Sequence, residues 1–199
     1  MIYPIPPRNI PGKDHLAFWE GFLSEDDIRL LLSQPEWLNL QPGCIGGSGH
    51  ADVDASVRES QINWLGMKPE LAHIWEKLAT TVAEVNRKFF HFDLTGFHEP
   101  MQLGVYHETA NGHYNWHIDA SPGDCHVPRK LSMAMLLSDP SEFEGGEFQV
   151  KTSDDTAQTL ECKRGRAWFL PAYTLHRVAP MTKGVRRSLV LWVGGPAFR

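Results

Sequence analysis

From about residue 98 the chain carries no helical periodicity. Short apolar or alternating runs, MQLGVY, HYNWHI, KLSMAMLLS, GEFQVK, RAWFL, TLHRVAP and RRSLVLWV, are separated by turn-like ETANG, SPGD, DPSEFEGG, KRG, PAY and MTKG. Strands this short, at spacings of roughly 8–12 residues, point to an all-β sandwich or barrel and not to βαβ units, whose crossovers need more chain. The first third reads differently. Ser24 with Asp27 three residues on forms a capping box opening DDIRLLLSQ. Leu71, Ile74, Trp75, Leu78, Val82 and Val85 recur at steps of three and four, the apolar stripe of an amphipathic helix. Between them, QPGCIGGSGHADVDAS reads as a Gly-rich loop and VRESQINWL alternates as a strand. The expectation is an α+β fold in one domain over 1–199, with a mainly helical part over 1–97 packed on one sheet of a jelly-roll core over 98–199.

At 199 residues a chain buries roughly 70% of the surface its unfolded form exposes, so the core needs no covalent staples. Cys44, Cys125 and Cys162 are odd in number and form no CxxC pair, which indicates neither a disulfide framework nor a cysteine zinc site. The N-terminal MIYPIPPRNIPGK lacks an apolar run, and no stretch approaches the ~20 apolar residues that span a bilayer. A cytoplasmic location with no membrane partner is expected. The net charge of −5 argues against nucleic acid as a partner, since phosphate contacts need many cations. Charge is uneven, however. Residues 151–199 hold nine Lys+Arg against three Asp+Glu, net +6, which leaves −11 for residues 1–150. That basic end is expected to surround the path of a small anion.

Ten histidines direct attention to metal chemistry. Iron(II) oxygenases hold their ion with two His and one carboxylate on one face of an octahedron, leaving the other positions open. The local sign is His-x-Asp on a strand, where alternate side chains point the same way. It occurs at His50-Ala-Asp52, His91-Phe-Asp93 and His117-Ile-Asp119, so the dipeptide spacing alone does not choose. In a jelly roll the third ligand comes several strands later, roughly 40–60 residues at about ten per strand and turn. His176 lies 57 residues beyond Asp119, in the alternating run TLHRVAP, and ten before Arg186. His91 has only His126, too near, and His176, rather far; His50 reaches His107 by count, but its copy lies in the Gly-rich loop and no arginine follows His107 until Arg129.

An Fe(II) oxidant needs two electrons beyond those its substrate gives, and a 2-oxo acid supplies them by chelating the iron and decarboxylating. Its far carboxylate requires a cation deep in the barrel, where a guanidinium stays charged and binds in a bidentate fashion. In the last run Arg186, Ser188, Val190 and Trp192 share one face by period two, with Arg187 on the other. Arg186 with the Ser188 hydroxyl makes an anion clamp.

At these residues the sequence resembles the 2-oxoglutarate- and iron(II)-dependent dioxygenases, in their prolyl 4-hydroxylase-like branch. The likeness runs through VRESQINWL, QLGVYHETANGHYNWHID, RKLSMAMLLSDPSEFEGGEF, RAWFLP and LHRVAPMTKGVRRSLVLWV, about residues 57–193. It implies a double-stranded β-helix, iron ligands at His117, Asp119 and His176, and 2-oxoglutarate on Arg186. It also implies O2 as oxidant, with ascorbate as a reductant. A tyrosine before the His-x-Asp contacts the oxo acid in this branch, which points to Tyr106, with Tyr114 second. Some animal members place a further tyrosine on the strand after that motif, where this chain has Met133, Met135 and Leu136.

Trp116 and Trp192 beside the proposed centre are candidate pocket residues, as is Arg58 of the Arg-x-Ser at 58–60. The loop 41–56 is a candidate lid. His113 and His117 have the spacing of two zinc ligands on a helix, but their segment alternates as a strand and lacks the glutamate of a metalloprotease. The leading function is hydroxylation of an unactivated carbon, by resemblance a prolyl residue of a peptide or protein, with succinate and CO2 as coproducts. The alternatives are the same chemistry on a free amino acid or other small molecule, and a jelly-roll metal-binding or sensing module without turnover. Oligomeric state is not encoded in any of these features.

Overall fold

The computed structural model describes residues 15–45, 52–120, 127–152 and 156–197. In chain order these form β1 (Ala17–Trp19), α1 (Glu25–Leu32), β2 (Gln41–Pro42), β3 (Arg58–Glu59), β4 (Gln61–Leu65) and α2 (Ala72–Val85), a helical half. There follow β5 (Met101–His107), β6 (His113–His117), β7 (Arg129–Leu136), β8 (Phe143–Gly145), β9 (Phe148–Lys151) and β10 (Gln158–Thr159). The chain ends on β11 (Ala167–Pro171), β12 (Leu175–Val178) and β13 (Met181–Gly194).

The strands build two antiparallel sheets. The larger has the order β1-β11-β7-β13-β5-β4-β2, with β8 pairing β13, and the smaller has the order β10-β9-β12-β6-β3. The first 97 residues therefore add more than helices: β1, β2 and β4 extend the large sheet and β3 edges the small one. The chain between α1 and α2 supplies β2, β3 and β4 of these edges.

Period-two alternation on the central strands divides the interior. Leu189, Leu191 and Val193 of β13, Leu103 of β5 and Leu131, Met133 and Met135 of β7 pack against α1 and α2 through Ile28, Leu31, Ile74, Leu78 and Val82. The alternate residues face between the sheets, where Tyr106, Leu136, Phe148, Val150, Leu170 and Val178 form a second, smaller cluster. Burial of these side chains supplies the main stabilisation, roughly 1.5–3 kcal/mol for each large aliphatic residue. Ser24 caps α1 as its sequence requires: Asp27 N–H donates to Ser24 Oγ and Ser24 N–H donates to Asp27 Oδ2 at 2.7 Å. Among the described residues no helix is long and apolar enough to cross a membrane.

Candidate active site

β6 and β12 are paired, and their register sets His117 opposite His176. Two residues past β6, Asp119 is held by its N–H, which donates to Ala172 O at 2.8 Å. One ligand atom from each of His117, Asp119 and His176 lies within 4.8 Å of the others, and among the described residues no other such group forms. Each imidazole is oriented by its own strand. His117 Nδ1–H donates to Asn115 O at 2.7 Å and His176 Nδ1–H donates to Thr174 O at 2.8 Å. A carbonyl accepts only, so each Nδ1 carries a proton and Nε2 is the ring atom turned towards the carboxylate, the atom a metal would take.

Those nitrogens face the carboxylate at 3.8 Å (His117 Nε2 to Asp119 Oδ1) and 3.4 Å (His176 Nε2 to Oδ2), wider than a hydrogen bond. Burial, reinforced by the neighbouring His176, lowers the pKa of His117 to about 3. Its ring is therefore neutral at physiological pH. Burial also opposes the charge on Asp119, but the flanking imidazoles and the Ser132 hydroxyl, 2.8 Å from Oδ2, outweigh it and keep the carboxyl ionised. Two imidazole nitrogens and one anionic oxygen, buried together, fit a divalent metal.

The triad opens into a cavity of about 470 Å3 between the sheets, the size of a small-molecule site. Arg186, Ser188, Val190 and Trp192 all line it, as the period of β13 predicts. Arg186 is 4% exposed, and its Nε and Nη1 have no hydrogen-bond partner among the described residues. Burial pushes its pKa down from the ordinary value, yet a guanidinium stays protonated, so the wall presents a cation awaiting an anion. The turn Gly145-Gly146 makes room for it: both glycines have positive φ, and a Cβ on Gly146 would stand 3.0 Å from Arg186 Cδ. Such a site fits the far carboxylate of 2-oxoglutarate.

Tyr106 lies with its ring 5.4 Å from the Arg186 guanidinium. Tyr114 takes a different place, stacked on His117 at 3.5 Å and 12°. Alternation would separate Tyr114 from His117, but a bulge puts two residues of β6, Asn115 and Trp116, against one of β12, Arg177, and turns both rings inward. Burial raises the Tyr114 pKa, so the phenol stays protonated. Arg58 covers the other face of Tyr114 at 4.5 Å. It donates to Ser60 Oγ, Cys44 O and Gln102 Oε1 and has no acidic partner among the described residues.

The structure corrects one expected pocket residue. Trp116 does not line the cavity: as the neighbour of His117 it points to the opposite face of the small sheet, where Arg177 and Lys151 stand 4.8 and 5.0 Å from its ring. Trp192 does line it, and its partner at 6.0 Å is Trp64, a cavity residue absent from the sequence expectations. Alternation in VRESQINWL was the available signal for Trp64. Met133 and Met135 turn to the helices, leaving Ser132 as the polar residue of β7 at the centre. Among the described residues no metal-binding group forms at the other two His-x-Asp copies. His50 lies outside the described residues and Asp52 is exposed, while His91 ends a helical turn at φ 55, off any strand. Of the loop 41–56, Cys44 and Ile45 line the cavity and residues 46–51 lie outside the described residues.

The sequence pattern of the 2OG-Fe(II) oxygenase superfamily matches residues 101–194, which hold the triad and Arg186. A PKHD-type hydroxylase of Shewanella frigidimarina is 33% identical over 184 residues, covering 87% of this chain and 76% of that one. One of Parvibaculum lavamentivorans is 38% identical over 92 residues, and there the match spans 43% of this chain and 39% of the relative's length. Among solved structures, a Trichoplax adhaerens prolyl hydroxylase in complex with a hypoxia inducible factor peptide fragment superposes with TM-score 0.72 at 15% identity, covering 91% of this chain and 84% of that one. A Pseudomonas putida prolyl-4-hydroxylase gives 0.68 at 18% identity, covering 92% and 94%.

Proposed function

This chain belongs to the 2OG-Fe(II) oxygenase superfamily, and from that premise we propose that it hydroxylates an unactivated C–H bond of a prolyl residue in a peptide or protein. The observation that carries the cosubstrate assignment is Arg186, buried with unpartnered nitrogens in the same cavity as the triad. A protein that merely stored or sensed a metal would gain nothing from an uncompensated buried cation, which costs several kcal/mol until an anion arrives. Hydroxylase relatives and the fold shared with prolyl hydroxylases support the reaction.

In this reading His117, Asp119 and His176 hold Fe(II), and their Nδ1 hydrogen bonds fix the ring planes before the metal arrives. When bound, iron with 2-oxoglutarate supplies O2 activation, one oxygen atom going to succinate as CO2 leaves and the other into the substrate C–H bond. Arg186 receives the far carboxylate and Ser188 shares it, so the oxo acid is oriented along β13. Tyr106 lies against that guanidinium, and Tyr114 seals the outer face of His117. Trp64 and Trp192 flank the same cavity, and their flat apolar faces suit a pyrrolidine ring. Arg58 favours a second reading, a free amino acid, because its buried charge faces only neutral acceptors and a substrate carboxylate would answer it.

Succinate release, assayed with Fe(II), 2-oxoglutarate and ascorbate, separates the two. Turnover rising on addition of proline-containing peptides but not free amino acids is the expected result, and the reverse moves the substrate. His117→Ala or Asp119→Ala should abolish coupled turnover; either variant at full activity overturns the centre.

A further inference from the structure

Ser132 is a positioning residue that neither the sequence patterns nor the cosubstrate argument requires. It occupies the middle of β7, paired in register with Leu170 of β11 and Trp192 of β13, and is 2% exposed. Its hydroxyl donates to Asp119 Oδ2 at 2.8 Å. Sheet neighbours on both sides fix the serine backbone, which holds the hydroxyl against that oxygen.

We propose that Ser132 occupies Oδ2 of Asp119 so that the carboxylate offers a metal only Oδ1. A carboxylate can grip one cation through one oxygen or two. In a six-position metal with two histidines, a one-oxygen Asp119 leaves three positions and a two-oxygen Asp119 leaves two. A chelating 2-oxo acid takes two, so O2 has a place only in the first case. Ser132 thus sets how many positions stay open, through the orientation of a ligand and not by touching metal or substrate. The inference rests on the reading of His117, Asp119 and His176 as the metal centre, and it is independent of what the substrate is.

Co(II) is a redox-stable probe whose visible absorption reports coordination number. Titrated into the whole protein and into Ser132→Ala, Ser132→Cys and Ser132→Thr, it tests the role without turnover. Ala removes the hydroxyl, Cys keeps the volume with a weak donor, and Thr retains the hydroxyl. The expected result is Co(II) affinity lowered about 10- to 100-fold in Ala and Cys, the range for losing a bond to a metal ligand. Their absorption should also change on adding 2-oxoglutarate in a way the wild type's does not, with Thr restoring both. If Ala does not fold, Cys carries the comparison. Wild-type affinity and spectra in Ala and Cys overturn the role of Ser132 alone. No Co(II) binding by the wild type overturns the metal centre, and this role with it.

Discussion

Arg186 meets its cavity with two nitrogens unpartnered, and its replacement has a sharp expected outcome. Arg186→Gln removes charge-assisted hydrogen bonds of about 1.5–3 kcal/mol. The Kd for 2-oxoglutarate should rise roughly 10- to 100-fold by that measure, read by titration against the metal-loaded protein, while Co(II) binding at the triad stays intact. Arg186→Lys should recover only part of the loss, since an ammonium lacks the planar fork. At this scale the sequence is legible where period two suffices: Arg186, Ser188 and Trp192 fall on one face of β13. It is less legible where neighbours on other strands decide. Ser132 is one more serine in an apolar run until β7 is laid beside β13 and its hydroxyl meets Asp119. Trp116 looked close to the centre because it is adjacent to His117 in sequence, and adjacency on a strand means the opposite face.

α1 shows how a local signal acquires a long-range partner. The Ser24/Asp27 box is visible in the sequence, but Asp27 also accepts from Lys77 Nζ at 2.6 Å and contacts His73 Nε2 at 2.9 Å, both on α2. Burial raises the pKa of Asp27, and the bonds from Lys77, Ser24 and His73 overcome this and hold the carboxyl well below its usual range. A carboxyl with a lower pKa folded than unfolded binds protons more weakly in the native state. Its stabilisation is therefore complete above the unfolded pKa of about 3.9 and is lost as pH falls through and below that value. The stability difference between wild type and Asp27→Ala, measured by urea unfolding, should be about 1–2 kcal/mol at pH 7 and shrink below pH 4; a constant difference across that range contradicts the linkage. The bulge on β6 is the complementary case, invisible in HYNWHI and responsible for turning Tyr114 onto His117.

Across the whole molecule, the cavity lies between the sheets and draws its lining from strands at both ends of the chain, Arg58 and Trp64 among them. Filling it should stabilise the fold by mass action: Fe(II) and 2-oxoglutarate, each at about 100 times its Kd, contribute about 2.7 kcal/mol apiece, roughly 5–10 °C in Tm for each in a domain this size. Anaerobic thermal scans should show that rise in the wild type and not in Asp119→Ala. The basic segment 151–199 plays a narrower part than its net charge of +6 implies. Lys163, Arg164 and Arg166 pair with Glu20, Glu25 and Glu161, and Lys183 pairs with Glu144. Arg186 is the one cation of that segment on the cavity wall among the described residues. Glu20, Glu25 of α1, Glu144 of β8 and the segment's own Glu161 neutralise those four cations. The sequence by itself determined the alternation of the strands, the helix cap and the order His117, Asp119, His176, Arg186, because these depend on backbone periodicity and on donor chemistry that residue types carry with them. Only the tertiary structure decided which charges are cancelled, which tyrosine lies on His117 and which serine holds Asp119, because each is a contact between strands whose register no local pattern specifies.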